Sequence, residues 1–162
     1  MNFENIGLKD FGNYLKTTDF FTAPASTKYH GAREGGLWRH SQAVADLLVK
    51  WTVALGIEWQ SFTSPMLIGL CHDVCKIGLY EKTEDGYKHK SNRDLDKHGS
   101  LSVEILESYG VHLTDEERYC IHYHMGEYTK DGQLTYSEVL QKYPNVLWVH
   151  TADMYASQIL GR

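Results

Sequence analysis

The sequence predicts an all-α protein carrying one short β-hairpin. Apolar residues recur at the three-to-four spacing of helices over most of the chain. Helix start and stop signals bracket those stretches. Only three prolines occur in 162 residues, at 24, 65 and 144, and the connections are mostly local, as in helix-dominated folds. The length fits one domain, residues 1–162. A chain of this size buries roughly two-thirds of the surface it exposes unfolded, so it needs no disulfide framework.

Residues 3–17 read as a first amphipathic helix. Residues 18–36 read as a loop, broken by the FTAPAST and GAREGG runs. A long helix covers 37–55 and stops at Gly56. Ser64 as N-cap with Pro65 in the first turn opens a helix running to about Cys75. LYEKTEDGYKHK reads as a hairpin turning at Asp85-Gly86. A helix over 97–109 ends at Gly110. Thr114 and Glu117 form a capping box that starts a helix through about Met125. A small helix occupies 135–142, and the last starts near Pro144 and runs almost to the end.

The net charge of −5, with histidines neutral, argues against a broad electrostatic footprint for long nucleic acid. A small phosphorylated ligand remains compatible, because a bound metal supplies local positive charge. The segment 76–97 holds six Lys/Arg and five Asp/Glu and is no basic platform. Three cysteines, Cys71, Cys75 and Cys120, are an odd and sparse set that suits a reducing compartment. The opening MNFENIGLKDFGNYLK lacks the basic start and apolar run of a signal peptide. No stretch approaches the ~20 apolar residues of a membrane span. The expected location is the cytoplasm, with no membrane partner.

The informative figure is nine histidines. His40 heads a stripe of Val44, Leu47, Leu48, Trp51 and Leu55 on one helix face. His72-Asp73 ends the apolar run MLIGLCHDV. His98 shares a face with Leu101, Ser102, Ile105 and Tyr109, and His124 with Cys120 and Ile121. Asp153 shares a face with Val146, Val149, His150 and Leu160. An ionised carboxylate on an apolar face is expensive unless paired or bound to metal. A single such histidine reads as a satisfied core residue; five such segments read as one shared interior site. Four imidazoles and two carboxylates suit one or two divalent transition metals, Fe, Mn, Zn, Co or Ni, rather than Mg alone. Cys71 and Cys75 flank His72, but no second cysteine pair completes a structural zinc site, so both read as small apolar residues.

The order His40, His72-Asp73, Asp153 resembles the HD superfamily of metal-dependent phosphohydrolases. GGLWRHSQAVADLL is similar to the first HD helix, and LIGLCHDVCKIGLY to the helix bearing the HD pair, with Lys76 in the HDxxK position. KHGSLSVEIL and IHYHMGEY resemble the extra histidine segments of two-metal members, and HTADMYAS the final aspartate segment. The likeness spans roughly residues 28–160. GGL before the first histidine and HG-x-x-S after the hairpin also resemble the HD domain of some bacterial 3′–5′ exoribonucleases. Their nucleic-acid-binding domain is not among these residues. The GYP segment of cyclic-di-GMP phosphodiesterases is absent.

The resemblance implies an HD-type helical domain. It implies that His40, His72, Asp73 and Asp153 hold a first metal, and that Asp73 bridges to a second held by His98 and His124. Two-metal relatives often read His-His where this chain reads His122-Tyr-His124-Met; aligning IHYHMG assigns His124 and leaves His122 outside. The implied activity is hydrolysis of a small phosphate ester, a nucleotide or short oligonucleotide, with Asp73 and Lys76 as catalytic residues. Lys76 is the first candidate to contact phosphate. Arg33 and Arg39, in the basic approach 28–39, are weaker candidates. Tyr29, Tyr80, Tyr87 and Tyr128 are unranked candidates for stacking on a base. Two other readings of the same residues stay open, a di-iron oxygenase and a nucleotide-binding sensor without turnover.

Overall fold

A computed structural model describes residues 3–90 and 97–162. Positions 91–96, part of the mixed-charge segment 76–97, lie outside the described residues. The first predicted helix divides at Gly7, whose φ of 76° no right-handed helix passes through. A 3₁₀ turn at Phe3–Ile6 therefore precedes α1, Lys9–Leu15. The long helix α2 spans Gly36–Leu55. It closes at Gly56, whose left-handed backbone (φ 66°) turns its N–H back to the Thr52 carbonyl.

The helix α3 spans Ser64–Cys71, with Pro65 in its first turn as read. Ser64 is not its cap. Its hydroxyl donates instead to Glu117 Oε1 at 2.8 Å, deep between helices. Glu117 is buried by its own capping box, where Oε2 takes the Thr114 N–H, and its second oxygen needs a donor. The chain leaves the α-helix after Cys71, four residues before the expected end, and resumes as a 3₁₀ turn at Val74–Lys76.

The hairpin is β1, Tyr80–Thr83, against β2, Gly86–His89, antiparallel with Thr83 opposite Gly86. The two-residue turn is Glu84-Asp85, one step earlier than expected. Gly86 alone takes the positive φ, 125°, and so stands as the first residue of β2. Then follow α4, His98–Ser108, and α5, Asp115–His122, which opens on the Thr114/Glu117 capping box as read. A 3₁₀ turn at Gly126–Tyr128 leads to α6, Tyr136–Lys142, with its own capping box from Thr135 and Glu138. The last helix is α7, Asn145–Gln158. The protein is all-α with a short β-hairpin. Among the described residues no helix is long and apolar enough to cross a membrane.

α2 packs against α3 and α7, α4 against α5, and α5 against α7. Their inner faces build one core from Val44, Leu48, Ile68, Leu106, Ile121, Val149 and Ala156, among others. Two glycines set close approaches between helices. A Cβ on Gly69 of α3 would sit 2.4 Å from the Ala45 Cα of α2, so these two backbones touch. A Cβ on Gly99 of α4 would sit 2.1 Å from the His122 carbonyl oxygen at the end of α5. Gly69→Ala should force α2 and α3 apart. Overpacking against backbone, which cannot rotate away, should cost about 3 kcal/mol and lower the Tm by roughly 6–12 °C. A melting curve equal to the parent's would show that this crossing tolerates the extra carbon.

Candidate metal centre

Each close approach carries a histidine to the same interior point. His40 lies five residues before Ala45 on α2, and His72 three residues after Gly69 at the end of α3. Their Nε2 atoms are 3.2 Å apart. Asp73 falls where the chain leaves the α-helix (φ −110°, ψ 14°). Adjacent residues of a continuous helix point about 100° apart. The break turns both side chains inward, with Asp73 Oδ2 3.5 Å from His72 Nε2. His98, first residue of α4, places Nε2 2.5 Å from Asp73 Oδ1. His124 follows the end of α5 rather than lying on it, and its Nε2 is 3.8 Å from the same oxygen. Asp153 of α7 sets Oδ1 3.0 Å from His40 Nε2. All six residues singled out in the sequence thus converge. Donor atoms of His40, His72 and Asp73 lie within 4.8 Å of one another, as do those of His72, His124 and Asp153.

The hydrogen bonds behind these side chains set what they present. His40 Nδ1 faces the main-chain oxygen of Arg162 at 2.9 Å, His72 Nδ1 that of Gly69 at 3.0 Å, and His124 Nδ1 that of Ile121 at 2.6 Å. A carbonyl only accepts, so each Nδ1 carries the proton. In a neutral ring Nε2 is then a bare lone pair, and three such lone pairs face inward. Burial holds His72 below its ordinary range and pushes His124 down to about 3, His72 and His98 adding to the shift. Both rings are therefore neutral near pH 7. When His40 and His72 are both neutral, two lone pairs 3.2 Å apart, beside two carboxylates, repel one another unless a cation sits among them. This acceptor set, tied from behind by carbonyls, fits a divalent metal ion.

Asp73 is the centre of the arrangement. Its Oδ2 faces Lys76 Nζ at 2.7 Å, with His72 and His40 Nε2 at 3.5 and 3.7 Å; its Oδ1 faces His98 and His124. Burial would raise its pKa, but Lys76, His72 and His98 outweigh burial and hold it well below the usual carboxylate range. Asp153 is also held low, with His40 the main neighbour working against burial. Burial would lower the Lys76 ammonium, yet Asp73 keeps it charged and pushes it above its ordinary value. His98 behaves unlike the other three. Burial opposes its charge, but Cys75 and Asp73 raise it to about 10.

Four of the six residues, Asp73, His98, His124 and Asp153, line a cavity of about 430 Å³ whose lining also includes Lys76, Tyr29, Tyr80 and Tyr128, while His40 and His72 lie behind them, fully buried. Tyr87, the fourth tyrosine named above, is not in that lining. Neither are Arg33 and Arg39. Both are exposed, and Arg39 lies beside a separate groove with Asp46 and Lys50. The physical reason for Arg39 is helical phase. It precedes buried His40 by one residue and so points about 100° away. Cys75 also departs from its expected role as an apolar helix residue. It lies beyond the end of α3, and its Sγ is 3.2 Å from His98 Nδ1, grouped with Asp73 and His98.

Two further histidines join the cavity. His150 Nδ1 donates to the His124 carbonyl, 2.8 Å away, and its place beside Asp153 on α7 was visible in the sequence. His30 comes from the loop before α2, where no periodicity marks a residue as inward. Its ring lies 4.9 Å from the His40 ring. Burial, followed by His40 and Lys76, pushes His30 down to about 4. His122 goes elsewhere: its Nε2 is 3.0 Å from Asp131 Oδ1, and Ser100 donates to the other oxygen of Asp131. His124→Ala should therefore lower the metal content per chain, and His122→Ala should leave it unchanged. Elemental analysis of both variants checks this, and the reverse pattern would reject the placement of His124 at the centre.

Comparison with family models, with curated proteins and with solved structures gives no significant match. The fold and the site define the class on their own terms: a helical protein with a buried His/Asp cluster able to hold a metal ion.

Proposed function

We propose that the chain is an HD-type metal-dependent phosphohydrolase acting on a small phosphate ester. The observation that carries this reading is the set of inward lone pairs and carboxylates lying under a small-molecule-sized cavity, with one charged lysine at its edge. His40, His72, Asp73 and Asp153 would hold one divalent transition metal, and Asp73, His98 and His124 a second. A bound metal of this kind activates water near neutral pH and offsets phosphate charge. Asp73 presents one oxygen to each group of histidines, the placement a shared ligand requires. Lys76 holds Asp73 and lines the cavity, so it stands where a phosphate oxygen would arrive. The volume of about 430 Å³ lies in the range of small-molecule sites. Tyr29 and Tyr128, 82% and 77% exposed, offer flat apolar faces to the organic part of a substrate such as a nucleotide. A net charge of −5, with Arg33 and Arg39 outside the lining, disfavours a long polyanion.

The test is metal analysis of protein purified without chelator. A screen of nucleotides, cyclic nucleotides and short oligonucleotides follows, in Mn²⁺, Co²⁺, Ni²⁺ and Mg²⁺. Between one and two ions per chain and phosphate release from at least one ester are expected. A metal-loaded protein inert to every ester, yet consuming oxygen with an organic substrate, would overturn hydrolysis in favour of oxygenation.

A further inference from the structure

His30 has no place in the ligand set read from the sequence. It joins none of the three-residue donor groups among the described residues, so the metal centre does not claim it. Yet it is carefully held. The Ser26 hydroxyl donates to the His30 carbonyl at 2.8 Å and accepts the Tyr29 N–H at 2.9 Å. The Ala25 N–H donates to the Gly31 carbonyl at 3.0 Å. Gly31 takes φ 57°, and a Cβ on Gly36 would lie 1.9 Å from the Gly31 oxygen. The GAREGG run therefore folds the loop tightly onto the start of α2 and sets His30 against His40.

The Nε2 of His30 is enclosed, and it finds no hydrogen-bond partner among the described residues. It is the one nitrogen among the buried side-chain atoms left in that state, and its residue lines the cavity above Asp73 and Lys76. A buried polar atom without a partner costs about 1–3 kcal/mol. A rigid loop that keeps such an atom beside a metal-ligating cluster leaves it for a group the polypeptide does not supply. We propose that His30 is a substrate-binding residue, whose Nε2 hydrogen-bonds an oxygen of the anion held at the His/Asp centre. The inference rests on the phosphohydrolase reading. It adds a contact from outside the helices, on the face of the site next to His40.

Inorganic phosphate is the probe. The metal-loaded full chain is titrated with phosphate calorimetrically, as parent, His30→Ala and His30→Gln, with metal content measured for each. Gln places an amide group near the position of Nε2 and can donate or accept there. His30→Ala should keep the parent's metal content and bind phosphate about tenfold more weakly, the loss of one hydrogen bond to a charged ligand. His30→Gln should recover most of that loss. Equal phosphate affinity in parent and His30→Ala would overturn the role of His30 while leaving the phosphohydrolase reading intact. Loss of metal in His30→Gln would place His30 in the metal shell and overturn the proposal. A parent that holds metal but binds no phosphate would overturn both readings.

Discussion

Asp73→Asn should abolish metal binding and, with it, the proposed phosphohydrolase activity. Both oxygens of Asp73 are committed, one toward His40, His72 and Lys76, the other toward His98 and His124. An amide keeps the shape but replaces one oxygen with a donor that cannot ligate a cation. It also removes the charge that holds Lys76 and His98 protonated. Both would be left as cations without their partner in a site where Asp73 itself is 2% exposed. Removing one member of a buried ion pair costs on the order of 3 kcal/mol, so stability should fall as well. Elemental analysis, turnover and a melting curve on one preparation measure all three. Metal content and turnover equal to the parent's would remove Asp73 from the centre of the site.

Stripping the metal from the parent should lower the Tm by roughly 10 °C. A ligand present at a thousand times its Kd stabilises the native state by about 4 kcal/mol, and each kcal/mol shifts a chain of this size by roughly 2–4 °C. The size of the effect follows from topology, since the candidate ligands come from α2, the end of α3, α4, the segment after α5, and α7. The stripped protein should also become sensitive to pH in both directions. His124 and His30 are held near 3 and 4 in the folded chain against about 6.5 unfolded. The unfolded chain binds more protons over that interval, so stability falls as pH drops below about 6.5. His98 has the opposite sign. Raised to about 10, it contributes stability that is complete below about 6.5 and lost as pH climbs toward 10. The metal-free Tm should therefore peak near pH 6.5. Chelation that leaves the Tm unmoved, after verified metal removal, would contradict a site that ties these segments together.

Much of the fold was legible because its signals act within a few residues. The Thr114/Glu117 capping box and the helix stop at Gly56 are closed by bonds between neighbours in the chain. The misreadings share a different cause. Ser64 looked like a cap because a serine precedes proline and an apolar run, but Glu117, 53 residues away, takes its hydroxyl. The helix expected through Met125 ends at His122. Beyond it the chain turns into the 3₁₀ segment at Gly126, whose φ of 64° disfavours a side chain and where a Cβ would lie 2.9 Å from His150 Cε1.

The sequence by itself determined which residues are anomalous. A histidine or aspartate on an apolar face breaks the helical pattern, and His40, His72, Asp73, His98, His124 and Asp153 were recognisable for that reason alone. Tertiary structure decided what those residues present and who joins them. The proton on His40 Nδ1 is held by an oxygen 122 positions away, at Arg162. Cys75 meets His98, and His30 enters from a loop without periodicity. Arg33 and Arg39, though close in sequence to His40, stay outside the cavity lining. The physical reason is that side-chain direction is periodic only within a helix. Where a helix ends or a loop folds back, direction follows the course of the backbone, and that course is set by contacts such as Gly69 on Ala45 and Gly36 on Gly31.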